Sequence, residues 1–455
     1  MQVIDPSTGE AGERFAPMDE ASLETVLTRS ALAFAGWRET FFEERSRLLV
    51  RVAELLRERR DALADRMARE MGKPVAQGRA EATKCAWVCD HYAEHAPHYL
   101  APEPADVGGD EAWVAYRPLG SLLAIMPWNF PFWQVFRQAA PAVMAGNAVL
   151  LKHAENVPGC AEDIAALFRD AGAPEGLFEN LRVQLPLVER VIADRRVRAV
   201  TLTGSTRAGR AVASQAGAAL TKTVLELGGS DPYLVLDDAD LDLAADVCVA
   251  SRMINAGQSC IAAKRFIAVG SVHDAFVERV VERMEAQRVG PPLDDETQVG
   301  PMARADLRDD LHDQVTRSIA SGARAILGAE VPDRPGFWYP PSVLTGVRPG
   351  MAAFDEELFG PVAAIVRADH EPQAIELANR SVYGLGAAVF TRDVARGRRI
   401  AETQLEAGSC FVNTFVKSDP RLPFGGIGDS GYGRELARHG ILELTNAKTV
   451  YVSVS

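Results

Sequence analysis

Three short apolar runs, separated by segments long enough to form helices, constrain the fold of this 455-residue chain most strongly. They occupy residues 122–126, 148–152 and 199–203. Antiparallel strands can be joined by tight turns, whereas parallel strands need a long crossover that is usually a helix. The spacing therefore predicts parallel βαβ units, in which ligands gather where the strands end.

The third apolar run leads directly into the segment from Gly204 to Gly209, followed by a predicted helix. Backbone N–H groups at the start of such a helix can face a pyrophosphate. The segment reads Gly-Ser-Thr-Arg-Ala-Gly and so differs from the Gly-x-Gly-x-x-Gly pattern. Taken alone, an ordinary strand-to-helix turn is the better interpretation, because glycine and serine are common turn and cap residues.

Three further fragments suggest acyl-transfer chemistry. Cys260 is framed by small residues, which lets a planar group approach the sulfur of a covalent nucleophile. Glu226 is followed by two glycines and can act as a base, and Asn129 can donate a hydrogen bond to an oxyanion. Each fragment alone is weak evidence, because a lone buried cysteine is more often a small apolar residue. Their occurrence together favours an active site.

Seven motifs in this chain resemble, in their order, those of the NAD(P)-dependent aldehyde dehydrogenase superfamily. They are Pro-Trp-Asn, Lys-x-x-Glu, Gly-Ser-x-x-x-Gly, Glu-Leu-Gly-Gly, Gly-Gln-x-Cys, Glu-x-Phe-Gly-Pro and Pro-Phe-Gly-Gly, at residues 127–129, 152–155, 204–209, 226–229, 257–260, 357–361 and 423–426. The resemblance covers essentially the whole chain. It implies an α/β fold with a Rossmann-type cofactor domain, an α/β catalytic domain and a β-hairpin oligomerisation element.

The same resemblance implies a division of the chain into segments. The cofactor domain comprises residues 1–104 and 120–228, interrupted by an oligomerisation hairpin at 105–119. The catalytic domain comprises residues 229–433, and a C-terminal oligomerisation segment comprises 434–455. Alternating residues at 449–455 predict a strand that needs a partner edge. In the family this strand extends a sheet of a neighbouring subunit, so we expect a homodimer or homotetramer.

In the family, Cys260 attacks the aldehyde carbon, and the Asn129 amide and the Cys260 backbone N–H meet the oxyanion. Glu226 activates water to hydrolyse the thioester. Glu435 lies on a proton path, although a structural carboxylate is an equally good interpretation of this residue. A cofactor-independent cysteine hydrolase and a binding protein are the remaining alternatives, and both leave the cofactor motifs without a use.

The resemblance also implies the residues that bind the cofactor. They are Trp128, Lys152, Glu155, Gly204, Ser205, Gly209, Leu227, Glu357 and Phe359. In the family, Lys152 and Glu155 hold the adenine ribose hydroxyls. A carboxylate at Glu155 accepts hydrogen bonds from hydroxyls but repels a 2′-phosphate, so we expect NAD to be preferred. NADP stays an alternative, because Lys152 and Arg207 offset part of the repulsion.

Substrate specificity is predicted from the helix after Pro131, where Phe130, Trp133 and Arg137 recur at roughly helical spacing. Arginine at this position resembles the succinate-semialdehyde dehydrogenases, because its guanidinium suits a carboxylate. Ser418 falls on the loop that supplies a second carboxylate contact in that subfamily, with Lys417 beside it.

Two alternatives to this substrate assignment stay open. Arg137 can instead form a salt bridge or lie at the surface, in which case the substrate is a neutral aldehyde. Some succinate-semialdehyde dehydrogenases carry a further arginine six positions before the nucleophile, where this chain has Ile254. Carboxylate binding therefore depends on fewer groups here.

Composition excludes several other classes of protein. A formal net charge of −13 argues against a nucleic-acid partner, which needs a basic face. The longest apolar stretch, at residues 139–151, is too short for a membrane span, and the first residues do not resemble a signal peptide, so we expect a cytoplasmic enzyme. Six irregularly spaced cysteines do not suggest a disulfide framework.

Two predicted absences concern cysteine chemistry. Cys85 and Cys89 share a face of a predicted helix, but His91 lies well around from them. Core packing is therefore the better interpretation than a metal site. Ile261 and Ala262 follow the nucleophile, so the neighbouring cysteine that permits a disulfide switch in some relatives is missing.

Overall fold

A computed structural model describes residues 1–453 as an α/β protein built around two large sheets. The helices are α1 (Glu20–Trp37), α2 (Phe42–Glu58), α3 (Arg60–Met71), α4 (Val75–Tyr99), α5 (Trp133–Ala145), α6 (Pro158–Asp170), α7 (Leu185–Ala193), α8 (Thr206–Ala219), α9 (Leu241–Met253), α10 (His273–Glu285), α11 (Ala305–Ala320), α12 (Ala352–Asp355), α13 (Glu371–Asn379), α14 (Val394–Thr403) and α15 (Ala437–Glu443). A 3₁₀ turn spans Ile254–Gly257.

The strands are β1 (Gln2–Ile4), β2 (Ala11–Arg14), β3 (Glu103–Asp106), β4 (Glu111–Pro118), β5 (Ser121–Met126), β6 (Ala148–His153), β7 (Phe178–Asn180), β8 (Val197–Thr203), β9 (Lys222–Glu226), β10 (Pro232–Val235), β11 (Arg265–Val269), β12 (Arg324–Leu327), β13 (Ser342–Thr345), β14 (Val362–Ala368), β15 (Tyr383–Gly384), β16 (Gly386–Phe390), β17 (Ser409–Val412), β18 (Ile427–Gly428), β19 (Gly431–Tyr432) and β20 (Thr445–Val452).

The first large sheet has six strands in the order β19, β9, β8, β5, β6, β7. The three apolar runs form β5, β6 and β8, which are parallel, so the predicted βαβ organisation is confirmed. Met126 is in register with His153, and Thr203 with Glu226. The carboxyl ends of β5, β6, β8 and β9 therefore lie at one edge, where the predicted cofactor and catalytic segments begin.

The second large sheet has seven strands in the order β12, β13, β14, β11, β10, β16, β17. All neighbours are parallel except β12 and β13. The segments that carry Cys260 and Glu357 precede β11 and β14, so both lie at the amino edge of this sheet. Only the five residues 227–231 connect β9 to β10. This short link sets the carboxyl edge of the first sheet against the amino edge of the second.

Helix α5 is enclosed along its whole length, since every residue from Trp133 to Ala145 is buried. It packs against α2, α4 and α15 as well as β5 and β6. Beside it, the Phe168 ring stacks between Phe136 and Phe178, at centroid distances of 5.8 and 4.3 Å. Because the helix is enclosed, its polar residue Arg137 must find partners inside the protein.

Amphipathic patterns predict largely helical structure over residues 21–59 and 61–100. Both regions are helical in the structure, and each is broken once. Gly72 ends α3 in the left-handed region at φ 77°, and Pro74 then precedes α4. Glycine at a helix end and a proline just beyond it are typical stop signals. Cys85 and Cys89 are buried in the core on α4. Within residues 1–453, no group of three or more His, Cys, Asp or Glu side chains is arranged to hold a metal ion.

A separate sheet of three strands has the order β20, β4, β3. The alternating residues 112–117 predict a strand, and the structure has β4 there. Residues 101–111 are polar and contain glycines, which predicts a break, but they include β3. The C-terminal strand begins at Thr445 rather than at Thr449, and it pairs with β4 of its own chain. Val454 and Ser455, which the sequence prediction included, lie outside the described residues.

The predicted segment boundaries stay predictions, with one observed difference. Residues 431–432, assigned by the boundary at 433 to the catalytic segment, form β19 and pair with β9 in the first sheet. Gly431 allows this pairing because a Cβ there would lie 2.0 Å from the Leu225 carbonyl oxygen. None of the helices in the described part of the chain is long and apolar enough to cross a membrane.

The end of α8 offers a test of backbone strain. Leu220 caps this helix at φ 54°, and its side chain is 95% exposed. A left-handed conformation costs a residue with a Cβ roughly 1–2 kcal/mol. We expect Leu220→Gly to raise the midpoint of thermal unfolding, with a gain of about 1 kcal/mol after the entropy of glycine in the unfolded chain is subtracted.

The matched control is Ala218→Gly, at an exposed position of the same helix. It should lower the midpoint, because glycine is unfavourable within a helix. A lower midpoint for Leu220→Gly, measured at the same scan rate, would contradict the strain at Leu220.

Candidate active site

The segment before Cys260 is a tight turn with unusual backbone angles. Asn255 and Ala256 lie in the left-handed region at φ 54° and 53°, and Gly257 follows at φ 75°. A Cβ on Gly257 would lie 2.1 Å from the Gly360 carbonyl oxygen, so only glycine fits. The turn leads to Cys260, which is partly exposed at the junction of the two sheets. The glycine of the Gly-Gln-x-Cys motif is therefore required by packing.

The side chain of Asn129 is held against this turn. Its Nδ2 donates to the Gln258 carbonyl oxygen at 3.0 Å, and Asn255 Nδ2 donates to the Asn129 carbonyl oxygen at 2.7 Å. Asn129 is only 3% exposed. An amide carries two N–H donors, so one stays available after the contact with Gln258. The structure thus brings the predicted oxyanion donor and the nucleophile segment into direct contact.

Lys264, which sequence reasoning missed, binds the backbone of the nucleophile segment. Its Nζ donates to the carbonyl oxygens of Cys260 at 2.7 Å and Ser259 at 3.0 Å, and it lies 3.8 Å from Glu357 Oε1. The sequence feature that could have identified it is the position of this lysine between the cysteine segment and a fully buried strand. A charge buried at such a position needs hydrogen-bond or ion-pair partners within the protein.

Glu357 and the two glycines after Glu226 fit closely together. Glu357 Oε1 accepts from the Gly229 N–H at 3.0 Å. A Cβ on Gly228 would lie 2.5 Å from Glu357 Oε2, and one on Gly229 would lie 2.7 Å from the Cys260 carbonyl oxygen. Burial raises the pKa of Glu357, and the nearby Lys264 charge acts in the opposite direction. The double glycine thus lets three predicted site segments approach one another.

Glu226 and Glu435 form a buried acidic pair with Arg137. The Arg137 guanidinium pairs with the Glu435 carboxylate, and it donates to Thr203 Oγ1 at 3.3 Å. Its other face lies 4.7 Å from the centre of the Phe424 ring. Arg137 is only 2% exposed. The salt bridge, which the sequence analysis gave as an alternative role for Arg137, is therefore present. A direct role of Arg137 in substrate binding stays a prediction.

The Glu226 carboxyl group has unmet hydrogen-bonding capacity. It is 2% exposed, and among the described residues neither of its oxygens has a hydrogen-bond partner. Burial raises its pKa well above the usual range, the Glu435 carboxylate raises it further, and Arg137 acts in the opposite direction. Burial likewise raises the pKa of Glu435, against the effect of Arg137. A buried carboxyl group without a partner is suited to a water molecule or a substrate.

Most of the residues predicted to bind the cofactor lie at the carboxyl edge of the first sheet, whereas Glu357 and Phe359 precede β14 of the second sheet. Ser205 caps α8 by accepting from the Ala208 N–H at 3.3 Å, and a Cβ on Gly209 would lie 2.5 Å from Leu227. Burial lowers the pKa of Lys152, while Glu155, which is exposed, acts in the opposite direction. A capped helix start beside a shielded ammonium and an exposed carboxylate suits phosphates and ribose hydroxyls, so these residues fit a dinucleotide.

Two aromatic residues of the predicted cofactor set meet each other. The rings of Trp128 and Phe359 contact edge to face, with centroids 5.8 Å apart and an interplanar angle of 87°. Trp128 lies in the segment after β5 of the first sheet, and Phe359 lies in the segment before β14 of the second. The junction of the sheets therefore has an apolar wall beside Cys260.

The residues predicted to bind substrate lie on α5 or contact it. Trp133 Nε1 donates to Ser418 Oγ at 3.1 Å, and the Phe130 ring lies 4.0 Å from Lys73 Nζ. Ser418 also accepts from Lys84 Nζ at 2.9 Å. Lys84 lies on α4, and sequence reasoning missed it. Lys417, in contrast, is exposed.

Comparisons with known proteins agree with this geometry. The model of the aldehyde dehydrogenase family matches residues 1–450, and the chain belongs to that family. The NAD(P)+ succinate semialdehyde dehydrogenase Sad of Escherichia coli strain K12 is 50% identical over 448 residues, which cover 98% of this chain and 97% of the relative. A probable NADP(+) succinate-semialdehyde dehydrogenase of Synechocystis is 47% identical over 450 residues, covering 99% of each chain.

A solved structure leads to the same conclusion about the fold. Succinic semialdehyde dehydrogenase from Streptococcus pyogenes, in complex with NADP+ as the cofactor, superposes with a TM-score of 0.97. It is 38% identical and the match covers 99% of each chain. The predicted aldehyde dehydrogenase-like α/β fold is thereby confirmed, and the chain is an aldehyde dehydrogenase.

The charge environment of Cys260 gives a prediction about its reactivity. Burial raises the pKa of the thiol to about 12, and the positive charges of Arg137 and Lys264 act in the opposite direction. Without ligands, the thiolate fraction at neutral pH is therefore small. We expect alkylation of Cys260 by iodoacetamide to accelerate about tenfold per pH unit between pH 7 and 9.

Cys260→Ser measures alkylation at the other cysteines, and the difference between the two proteins gives the rate at Cys260. A rate that levels off by pH 9 would show that the thiol ionises at or below its ordinary pKa. The high pKa of the ligand-free site would then be wrong.

Proposed function

We propose that this enzyme oxidises succinate semialdehyde to succinate with NAD(P), through a thiohemiacetal and then a thioester on Cys260. The observation that carries this proposal is the contact of Cys260, Asn129 and Glu226 segments at the junction of the sheets. The names of the relatives supply the substrate, which a family match alone does not.

In the first step, Cys260 Sγ gives up its proton and attacks the aldehyde carbon. Glu226 is the nearby unpartnered carboxylate that can take this proton, once it has lost its own. The charge that develops on the aldehyde oxygen meets the second N–H of Asn129 and the backbone N–H of Cys260. Lys264 holds the Cys260 carbonyl group and thereby keeps that N–H in place.

NAD(P), when bound, would supply the hydride acceptor for oxidation of the aldehyde carbon. Glu357 and Phe359 are the residues that would position its ribose beside Cys260. In the last step, Glu226 removes a proton from water, and the hydroxide attacks the thioester carbon. The Cys260 thiolate leaves, and succinate forms. Glu435 would then accept the proton from Glu226 under the control of Arg137.

A neutral aldehyde is the second candidate substrate, because the Arg137 guanidinium already has the Glu435 carboxylate as its counter-ion. A substrate carboxylate would have to share that guanidinium. The two candidates differ in one experiment, a comparison of succinate semialdehyde with butanal, which has the same carbon chain without the charge.

We expect the purified enzyme to reduce NAD(P) with succinate semialdehyde at a kcat/KM at least about 100-fold above that for butanal, since a charged contact of ~3 kcal/mol is at stake. Asn129→Ala should lower kcat about 10²- to 10³-fold with both aldehydes. Cys260→Ala is the blank and should show no turnover. Equal kcat/KM values for the two aldehydes would refute the substrate assignment and leave the family membership intact.

We propose further that NAD is preferred over NADP, although the Escherichia coli relative is named for NAD(P)+ and the Synechocystis relative for NADP(+). Glu155 supports this preference, because like charges ~4 Å apart repel by ~4 kcal/mol at an effective dielectric constant of ~20. Glu155 is exposed, so solvent reduces that figure. Lys152 and Arg207 offset part of what is left.

Replacement of Glu155 by glutamine tests this cofactor preference, because it removes the charge and keeps the size. We expect the ratio of kcat/KM for NADP to that for NAD to rise about tenfold or more. Arg207→Gln, on the exposed start of α8, should change the ratio in the opposite direction. A wild-type enzyme that prefers NADP, with an unchanged ratio in Glu155→Gln, would contradict the role of Glu155.

We also propose a homodimer or homotetramer in the cytoplasm. The three-stranded sheet supports assembly, because β20 and β3 are its two open edges and Trp113 lies partly exposed on β4 between them. The proposed nucleophilic role of Cys260 requires a reduced thiol, which supports the location, because the cytosol keeps cysteines reduced.

A further inference from the structure

The turn that carries the nucleophile is built around a buried ammonium group. Lys264 is only 1% exposed, and its Nζ donates to the carbonyl oxygens of Cys260 at 2.7 Å, Ser259 at 3.0 Å and Ala262 at 3.4 Å. An ammonium group has three N–H donors, so these three acceptors use its whole hydrogen-bonding capacity. The backbone of this turn therefore encloses a positive charge.

The ion-pair partner of Lys264 is Glu357, whose Oε1 lies 3.8 Å from the lysine Nζ. This distance is too long for a hydrogen bond, so the two groups interact through their charges. Oε1 accepts instead from the Gly229 N–H at 3.0 Å. The Glu357 side chain is 19% exposed, so a ligand can reach its carboxylate. Lys264 thus contacts the nucleophile residue and also pairs with a carboxylate that is open to a ligand.

A second buried cation, Arg252 on α9, joins the same two segments through their backbones. Its guanidinium is fully buried, and it donates to the Gly257 carbonyl oxygen and to the Leu358 carbonyl oxygen, the latter at 3.4 Å. These two contacts fix the nucleophile turn against the segment that carries Glu357. Because Arg252 already holds the two backbones together, the charge of Lys264 is left to act on the side chains.

The presence of a charge at Lys264 needs an explanation, because burial of an ammonium group is unfavourable. Burial lowers the pKa of Lys264, Glu357 and Asp231 raise it, and Arg252 lowers it further. A buried ion pair adds little net stability, since desolvation offsets most of the attraction. The charge is therefore better explained by its effect on the groups around it than by stability.

The Lys264 charge acts on both Cys260 and Glu357. Burial raises the pKa of the Cys260 thiol to about 12, the charges of Arg137 and Lys264 lower it, and the charge of Glu357 raises it further. Burial also raises the pKa of Glu357, and the Lys264 charge lowers it. The thiolate and the carboxylate therefore compete for one ammonium group.

We propose that Lys264 is a positioning residue that couples binding of the nicotinamide ribose at Glu357 to the reactivity of Cys260. The proposal rests on the proposed function, which assigns Glu357 to that ribose. Ribose hydroxyl groups that donate to the carboxylate spread its negative charge and weaken its attraction for the ammonium group. The Lys264 charge then acts more strongly on Cys260 Sγ, so the nucleophile is activated after the cofactor has bound.

The first test measures alkylation of Cys260 by iodoacetamide at pH 8 without cofactor, by mass spectrometry of the peptide that contains this cysteine. We expect Lys264→Met to slow alkylation at least about tenfold, and Glu357→Gln to accelerate it at least about threefold. Lys264→Arg should recover most of the loss. In Lys264→Met, the added Glu357→Gln change should alter the rate less than about twofold, because the buried Glu357 carboxyl group is then protonated.

This double-mutant cycle separates electrostatic coupling from a structural role. Unfolding would expose the thiol and accelerate alkylation, so slower alkylation in Lys264→Met cannot arise from unfolding. Lys222→Met, which removes an exposed charge at the opposite end of β9 from Glu226, is the control and should leave the rate unchanged.

The same acceleration by Glu357→Gln with and without Lys264 would overturn the proposal. If Lys264→Met shows no cooperative thermal transition, Glu357→Gln decides alone, and an unchanged rate in that variant overturns the proposal.

The second test repeats the measurement with saturating NAD. The nicotinamide ring, through its bulk and its charge, affects the thiol in every variant, so the comparison is made between variants. We expect the ratio of the rate with NAD to the rate without it to be at least about threefold higher in the wild type than in Lys264→Met or Glu357→Gln. Equal ratios in the three proteins would refute the coupling. A wild type that does not bind NAD, as followed by protein fluorescence, would instead refute the proposed function, and this proposal with it.

Discussion

The short connection between β9 and β10 is the constraint on which the active site depends. Five residues carry the chain from the end of one sheet to the start of the other, so the two sheet edges must face each other. Gly228 and Gly229 make this close approach possible, because a side chain at either would collide with Glu357 or with the Cys260 backbone. Asn129, Glu226 and Cys260 thus meet although they belong to different elements.

At this junction, burial and the charge of Arg137 have opposite effects on the ionisation of the buried acidic groups. Burial disfavours the ionised forms of Cys260, Glu226 and Glu435, and Arg137 favours each of them. A buried ion pair contributes little net stability, because desolvation offsets most of the attraction. Retention of the Arg137 and Glu435 pair is therefore better explained by control of the reacting groups than by stability. The resting thiol stays protonated until substrate and base are both in place.

Local patterns predicted the parts of the structure that depend on local physics. The apolar runs gave β5, β6 and β8, since strand periodicity and burial are properties of short segments. The parallel topology then predicted that the residues at the strand ends lie at one edge of the sheet. Long-range pairing could not be predicted in this way: the partner of Arg137 is Glu435, and that of Lys84 is Ser418, 334 residues away. The helical spacing indicates that Arg137 lies on the same face of the helix as Trp133, but it does not indicate which acidic residue contacts that face.

The two cations beside α5 differ in their partners and in their exposure. Arg137 is enclosed and has an acidic partner, so its charge acts mainly on the buried groups around Cys260. Lys84 is partly exposed and has a hydroxyl partner, so its charge is available to a ligand. If Arg137 also bound the substrate carboxylate, each binding event would weaken its hold on Glu435 and shift the pKa of Glu226 during the reaction. A neutral aldehyde would leave the charges around Glu226 unchanged, so the surroundings of the base respond to the charge of the substrate.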